Sequence, residues 1–380
     1  MSDKSKGKSD KHVSRRQFIQ NLSYSLLGAK IASDSKTPFS AVLNRTKPDE
    51  PVKMKYRVLG RTGLKLSEIS LGGHYDGMGW RKKGSDKQSK RNEVFKNAIK
   101  LGVNFFDSNE VYESKTIGTA LKDVDAQRSK IYLSADTNAY RNEENYLKKN
   151  KMFDEIFKEV NEHIEALQTS YIDLFRLTTW SNAFNKDGIR NAVEAFKILK
   201  KEGKARFFGI SNHNPKTLFR IIDEIPEVNA LFIPYSYITT RAEKVFPTAK
   251  KKGIGVICIK PFVKGSLFKL SDKDLAKMEG VMGDWVRESN AKRENLNAGT
   301  KQSLALANLK FILSNKNITT IIPGMETAEE VAENVRASHE GAITEQETGL
   351  LRGFWDNPDG EELVNKMCSG KYHFLRQWRS

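Results

Sequence analysis

Several short apolar runs of this chain end on side chains that can hold or move protons. The run N-F-F-D-S-N-E-V-Y (104–112) presents Asp107 at the end of its apolar part and Tyr112 one short turn later. I-Y-L-S-A (131–135) leads straight into Asp136, and I-D-L-F-R-L (172–177) into Thr178. His74 follows L-G-G, and Lys260 follows I-C-I. Carboxylates, a phenol, an imidazole and an ammonium group are the raw material of general acid–base chemistry. Thr178 donates a hydrogen bond but does not titrate near neutral pH, whereas His74 is the residue type that does. Arg176 lies two residues before Thr178, so the period-two alternation of a strand sends both to one face. On an interior face that guanidinium needs a carboxylate, because a buried unpaired charge is costly. Asp136 is the first candidate and Asp107 the other.

Positioning these groups requires an ordered set of strands. Eight runs read as strands: I-S-L-G-G (69–73), N-F-F-D (104–107), I-Y-L-S-A, I-D-L-F-R-L, A-R-F-F-G-I (205–210), A-L-F-I-P (230–234), G-V-I-C-I (255–259) and T-T-I-I-P (319–323). Between them lie amphipathic stretches such as Val193, Phe196, Ile198 and Leu199, stopped by Lys200-Lys201-Glu202-Gly203. Alternation of this kind is the pattern of βα units on a parallel sheet, and eight strands favour closure into a (β/α)8 TIM barrel. Side chains at the C-terminal ends of such strands converge on one site. Residues 271–300, charged and carrying Gly280 and Gly283, read as an insertion before the last helix and strand.

The chain has 380 residues, 38% of them hydrophobic, enough for one such barrel with extensions. Its formal charge is +17. The lysines are interleaved with acids along helices and no nucleic-acid motif accompanies them, so a solvated basic surface is expected and a nucleic-acid partner is not. Two cysteines, Cys258 and Cys368, have no metal-ligand spacing, and no metal site is expected. The N-terminus is Lys-rich, then reads S-R-R-Q-F-I (14–19) and a mildly apolar N-L-S-Y-S-L-L-G-A-K-I-A. This resembles a twin-arginine export signal. It implies the export machinery as a partner and a periplasmic location, with no stable transmembrane span after signal removal. The expected organisation is a signal at 1–33, a Pro-containing linker at 34–53, the barrel at 54–340 and a C-terminal extension at 341–380.

The opening L-G-R-T-G-L-K-L-S-E-I-S-L-G-G (59–73), the N-F-F-D-S-N-E-V-Y run and E-A-F-K-I-L-K-K-E-G-K-A-R-F-F-G-I-S-N (194–212) together resemble the aldo-keto reductase family. The resemblance implies a barrel that reduces small carbonyls or oxidises alcohols, sugars among them, with a nicotinamide cofactor. It makes Tyr112 the proton donor and Asp107 its ordering carboxylate. The family's Lys position reads Asp136 and its His position Thr178, so the charge beside the phenol changes sign, which opposes ionisation of a neighbouring phenol. Lys260, Arg176 or His74 would then replace the missing Lys and His. Two other readings stand beside this one: an inactive barrel kept as a small-molecule-binding protein, and a hydrolysis or isomerisation using Asp107, Asp136 and His74.

For the cofactor, Ser211 and Asn212 match the positions that hold the nicotinamide carboxamide, Lys264 and Gly265 the pyrophosphate loop, and Glu333 and Asn334 the adenine side. Phe232 and Ile259 replace the family's Gln and its stacking aromatic. Glu330 stands where an Arg grips a 2′-phosphate. A carboxylate there repels phosphate, so of NAD and NADP, NAD is expected.

Overall fold

The computed structural model describes residues 52–73, 86–137, 139, 148–179, 185–263, 265, 303–345, 347–349, 352, 361–363 and 365. The expected signal, most of the linker, His74, Lys264, the 271–300 insertion and much of the C-terminal extension lie outside them. A hairpin opens the described chain, β1 (Tyr56–Val58) pairing antiparallel with β2 (Lys65–Ser67). Eight strands follow: β3 (Leu71–Gly72), β4 (Phe105–Ser108), β5 (Tyr132–Thr137), β6 (Ile172–Thr178), β7 (Ala205–Ser211), β8 (Ala230–Pro234), β9 (Gly255–Ile259) and β10 (Ile318–Ile322). All neighbours are parallel, in chain order. The residues just before β3 close the ring: Ile69 bridges Ile321, Ser70 N donates to Ile321 O at 2.9 Å, and Ile321 N donates to Glu68 O at 2.9 Å. Each of the eight expected runs contributes a strand of this barrel.

Among the described residues eight α-helices accompany the strands: α1 (Asp86–Lys100), α2 (Val111–Asp123), α3 (Lys149–Ala166), α4 (Lys186–Lys201), α5 (Pro215–Glu224), α6 (Phe246–Lys251), α7 (Leu304–Ser314) and α8 (Ala328–Glu340). Several of their starts follow local capping rules. Asn185 accepts from Gly188 N, Ser303 from Leu306 N and Thr327 from Glu330 N, while Glu110 and Glu113 form a capping box on α2.

The sheet divides the apolar residues into two clusters by strand parity. Phe175 and Phe208 face the helices, where the Phe196 ring of α4 stacks 5.2 Å from that of Phe208. Leu174, Ala230, Phe232 and Ile257 face inward, and Leu59, Leu64 and Leu66 of the hairpin segment join them as a plug. Arg176 shares the parity of Leu174 and therefore points into the barrel.

Helix packing sets one sharp steric limit. A Cβ on Gly118 of α2 would lie 2.3 Å from the Ala166 carbonyl oxygen at the end of α3. Gly118→Ala is expected to lower stability by about 1–3 kcal/mol, as overpacking does. A thermal midpoint by circular dichroism matching that of the parent protein would contradict this contact.

Candidate active site

Arg176 is the centre of the buried polar cluster at the C-terminal ends of β4, β5 and β6. Its Nη2 lies 3.3 Å from Asp107 Oδ2 and 3.5 Å from Asp136 Oδ2. It also donates to Ser108 O and Asn109 Oδ1, both at 3.4 Å, and its guanidinium stacks 4.8 Å from the Phe232 ring. Register explains the meeting, since Asp136 pairs directly with Arg176 across β5 and β6. The expected interior ion pair is present and involves both carboxylates. Burial alone would depress the Arg176 pKa, but Asp107, Asp136 and Glu113 outweigh it and raise it.

Two carboxylates share this one guanidinium, and Asp136 is the more enclosed, at 1% exposure against 7% for Asp107. Burial pushes Asp136 up to about 7, against the opposing pull of Arg176, the Thr178 hydrogen bond and the Thr137 amide. Its Oδ1 accepts from Thr137 N at 3.0 Å, and its Oδ2 accepts from Thr178 Oγ1 at 2.6 Å. Asp136 and Thr178, the residues at the family's Lys and His positions by resemblance, are therefore bonded to each other.

Tyr112 is the second residue of α2 and is 38% exposed. Its hydroxyl donates to Glu113 Oε1 at 3.2 Å. Glu113 itself is buried, with Oε2 accepting from Asn109 N at 2.6 Å and Glu110 N at 3.3 Å. The capping box thus fixes a carboxylate beside the phenol. Beneath it, Ser108 Oγ contacts Ser114 Oγ at 2.6 Å, which contacts His163 Nδ1 at 2.7 Å. Burial holds His163 down to about 4 despite its bond to the Asp136 backbone, so the ring is neutral at ordinary pH.

Lys260 follows β9 in a left-handed conformation (φ 53°), and its Nζ lies 2.6 Å from His213 Nε2, just beyond β7. His213 drew no attention in the sequence, although it directly follows G-I-S-N. Arg91, also unremarked, is fully buried and donates to Met325 O (2.9 Å) and Gly72 O (3.2 Å), tying the chain after β10 to β3. Burial lowers its pKa well below the usual guanidinium value despite Glu113 and Glu326.

The residues matched to a nicotinamide dinucleotide fit it in part. Ser211 ends β7, and Gly265 adopts φ 80° with no atom of the described residues within 4 Å of where a Cβ would stand. Asn212 is largely engaged by the protein: Nδ2 donates to Thr179 O (3.2 Å) and Thr179 Oγ1 (2.7 Å), while Oδ1 accepts from Asn214 N (2.7 Å). Its remaining Oδ1 lone pair and the Ser211 hydroxyl would hold a carboxamide. Glu333 accepts from Ser303 Oγ, Asn334 is buried, and both belong to α8.

Comparison with known proteins agrees with this architecture. L-galactose dehydrogenase of Arabidopsis thaliana is 26% identical over 304 residues, covering 78% of this chain and 90% of that one. The holo form of a Bacillus halodurans aldo-keto reductase superposes with a TM-score of 0.60 at 24% identity, covering 79% of this chain and 96% of that one. A Klebsiella pneumoniae aldo-keto reductase in complex with NADPH gives 0.61 at 18% identity, covering 80% and 96%. The aldo/keto reductase family profile matches residues 68–356, most of the chain, and the protein belongs to the aldo/keto reductase family.

Proposed function

We propose that this protein interconverts a small carbonyl compound, of the sugar class, with its alcohol, using NAD in preference to NADP, outside the cytoplasmic membrane. The observation that carries the reading is the buried strand-end cluster of Asp107, Asp136, Arg176 and Thr178, which places a carboxyl group, pushed up to about 7 by burial, at the C-terminal strand ends of a family barrel. The likeness to L-galactose dehydrogenase of Arabidopsis thaliana supports the sugar class. When bound, the nicotinamide would supply or accept hydride. The protein's own groups would orient the carboxamide (Ser211, Asn212), approach the pyrophosphate (Gly265, with Lys264 by its place in the sequence) and face the adenine side (Glu333, Asn334). Tyr112, Lys260 and His74 remain candidates for contact with the substrate.

The NAD preference rests on Glu330. Its Oε2 accepts from Glu326 N at 2.6 Å and its amide donates to Thr327 Oγ1 at 3.2 Å. These contacts at the α8 N-cap thereby hold a negative charge where the resemblance calls for the phosphate-gripping Arg. Fluorescence titration is expected to show tighter binding of NADH than NADPH. Glu330→Gln, which keeps an acceptor for the cap, should narrow the gap by roughly 1 kcal/mol, the scale of an exposed charge pair. Tighter NADPH binding by the parent protein would reverse this assignment.

Export rests on the S-R-R-Q-F-I leader. Among the described residues no helix is long and apolar enough to cross a membrane. Expression in a bacterial host followed by fractionation tests the location, since retention in the cytoplasm with the leader intact would overturn it. The whole reading is tested by mass spectrometry of small molecules released on denaturing the natively exported protein, together with a turnover screen of aldoses and their alcohols. Absence of both nucleotide and turnover would defeat it.

A further inference from the structure

We propose that Asp136 is the proton store of this site and that the Thr178 hydroxyl carries its proton to and from the substrate oxygen. The proposal rests on the oxidoreductase reading above and assigns the proton path within it.

Charge balance supplies the first argument. Arg176 offers one positive charge to two carboxylates at 3.3 and 3.5 Å, with the fixed carboxylate of Glu113 contributing to the same field. A buried group with a surplus of negative charge retains a proton. The surplus proton belongs on the more enclosed carboxylate, Asp136, which burial pushes up to about 7.

Connectivity supplies the second. Asp136 Oδ1 accepts from the Thr137 amide at 3.0 Å, a donor that keeps its proton. Oδ2 faces Arg176, a donor that does not give up its proton, and Thr178 Oγ1 at 2.6 Å. A hydroxyl accepts one proton while donating another, so Thr178 is the partner on Oδ2 able to relay. Thr178 is also the last residue of β6, at the end of the strand where barrel sites open.

The other groups packed around Asp136 do not compete. His163 of α3 bonds the Asp136 backbone and is neutral down to about pH 4. Glu159 of the same helix accepts from Thr137 Oγ1. Asp107 is the second carboxylate on Arg176, and Glu113 is held by Asn109 N and Glu110 N. The Tyr112 hydroxyl donates to Glu113 Oε1 at 3.2 Å.

In the reductive direction, a bound reduced nicotinamide would supply the hydride to the carbonyl carbon, and the C=O π pair would move onto oxygen. That oxygen takes the Thr178 hydroxyl proton while Thr178 Oγ1 takes the proton of Asp136 Oδ2. Asp136 is left as a carboxylate paired with Arg176 and regains a proton from solvent through the same hydroxyl. Oxidation of the alcohol would run these transfers backwards, with a bound oxidised nicotinamide as the hydride acceptor.

Two measurements test this. Infrared titration of the protein alone should show a protonated-carboxyl C=O stretch that disappears as pH rises through about 7. The band should be absent in Asp136→Asn, displaced in Thr178→Val and restored in Thr178→Ser. With NADH and glyceraldehyde as probes, Thr178→Val should lower kcat by about 10²–10⁴, the usual worth of a general acid. Thr178→Ser should recover most of that loss and the parent pH profile. A missing band, or a Thr178→Val protein with unchanged kcat and pH profile, overturns the proposal. So does a Tyr112→Phe protein that loses turnover while Thr178→Val keeps it. A parent protein inert toward every carbonyl tried would instead count against the oxidoreductase reading, and the infrared result would still decide whether Asp136 stores a proton.

Discussion

Replacing Arg176 by leucine is expected to destabilise the protein by about 3–5 kcal/mol, the cost of removing one partner of a buried ion pair. The change strands Asp107 and Asp136, both buried, and removes a guanidinium that also donates to Ser108 O and Asn109 Oδ1 and covers Phe232. Urea denaturation at neutral pH measures the loss. Adding Asp107→Asn to the leucine variant should return part of it, because the orphaned carboxylate, not the lost attraction, dominates the penalty. A loss below about 1 kcal/mol would mean that the triad is more hydrated than its burial indicates.

The second large effect is a pH dependence hidden by cancellation. Asp136 is raised to about 7, so the native state holds a proton that the unfolded chain has already released, and its contribution to stability is lost as pH rises through about 7. His163 is lowered to about 4, so its contribution is present above its unfolded value and is lost as pH falls through about 4. The two trends oppose each other over nearly the same range. Removing either group exposes the other. Relative to the parent protein, Asp136→Asn should become progressively less stable on acidification, and His163→Gln progressively more stable. Each difference has a limiting slope of about 1.4 kcal/mol per pH unit per proton. Urea midpoints at a series of pH values read this directly, and variants whose curves run parallel to the parent would refute it.

The barrel was legible because its strands are short apolar runs whose period and spacing survive without any knowledge of contacts. Strand parity also placed Arg176 inside, and adjacency named both of its partners. What parity cannot convey is which of several polar neighbours a side chain reaches. Glu113 reads in the sequence as an ordinary helix residue, yet the capping geometry of α2 turns it back under Tyr112. His213 and Lys260 are separated by 46 intervening residues and meet because β7 and β9 end on the same rim. Asn212 follows its family position in the chain, but a neighbouring strand end, at Thr179, uses its amide. Arg91 lies on a helix among other charged residues, and its full burial depends on how α1 meets the chain beyond β10.

The plug at the barrel floor imposes an order on the making of the molecule. Arg57 of β1 bonds the carbonyl oxygens of Leu313 at 2.8 Å, Asn315 at 3.2 Å and Ile318 at 2.7 Å, and Lys55 N donates to Ser338 Oγ at 2.8 Å. The ring itself closes on Ile321. Lys55 and Arg57 therefore acquire these distant partners only after the segment around 313–338 has been made. Contacts of such long sequence separation slow the final step of folding. The nascent barrel stays open along one seam until β10 is made, and a chain stopped before β10 has no seat for the β1–β2 hairpin.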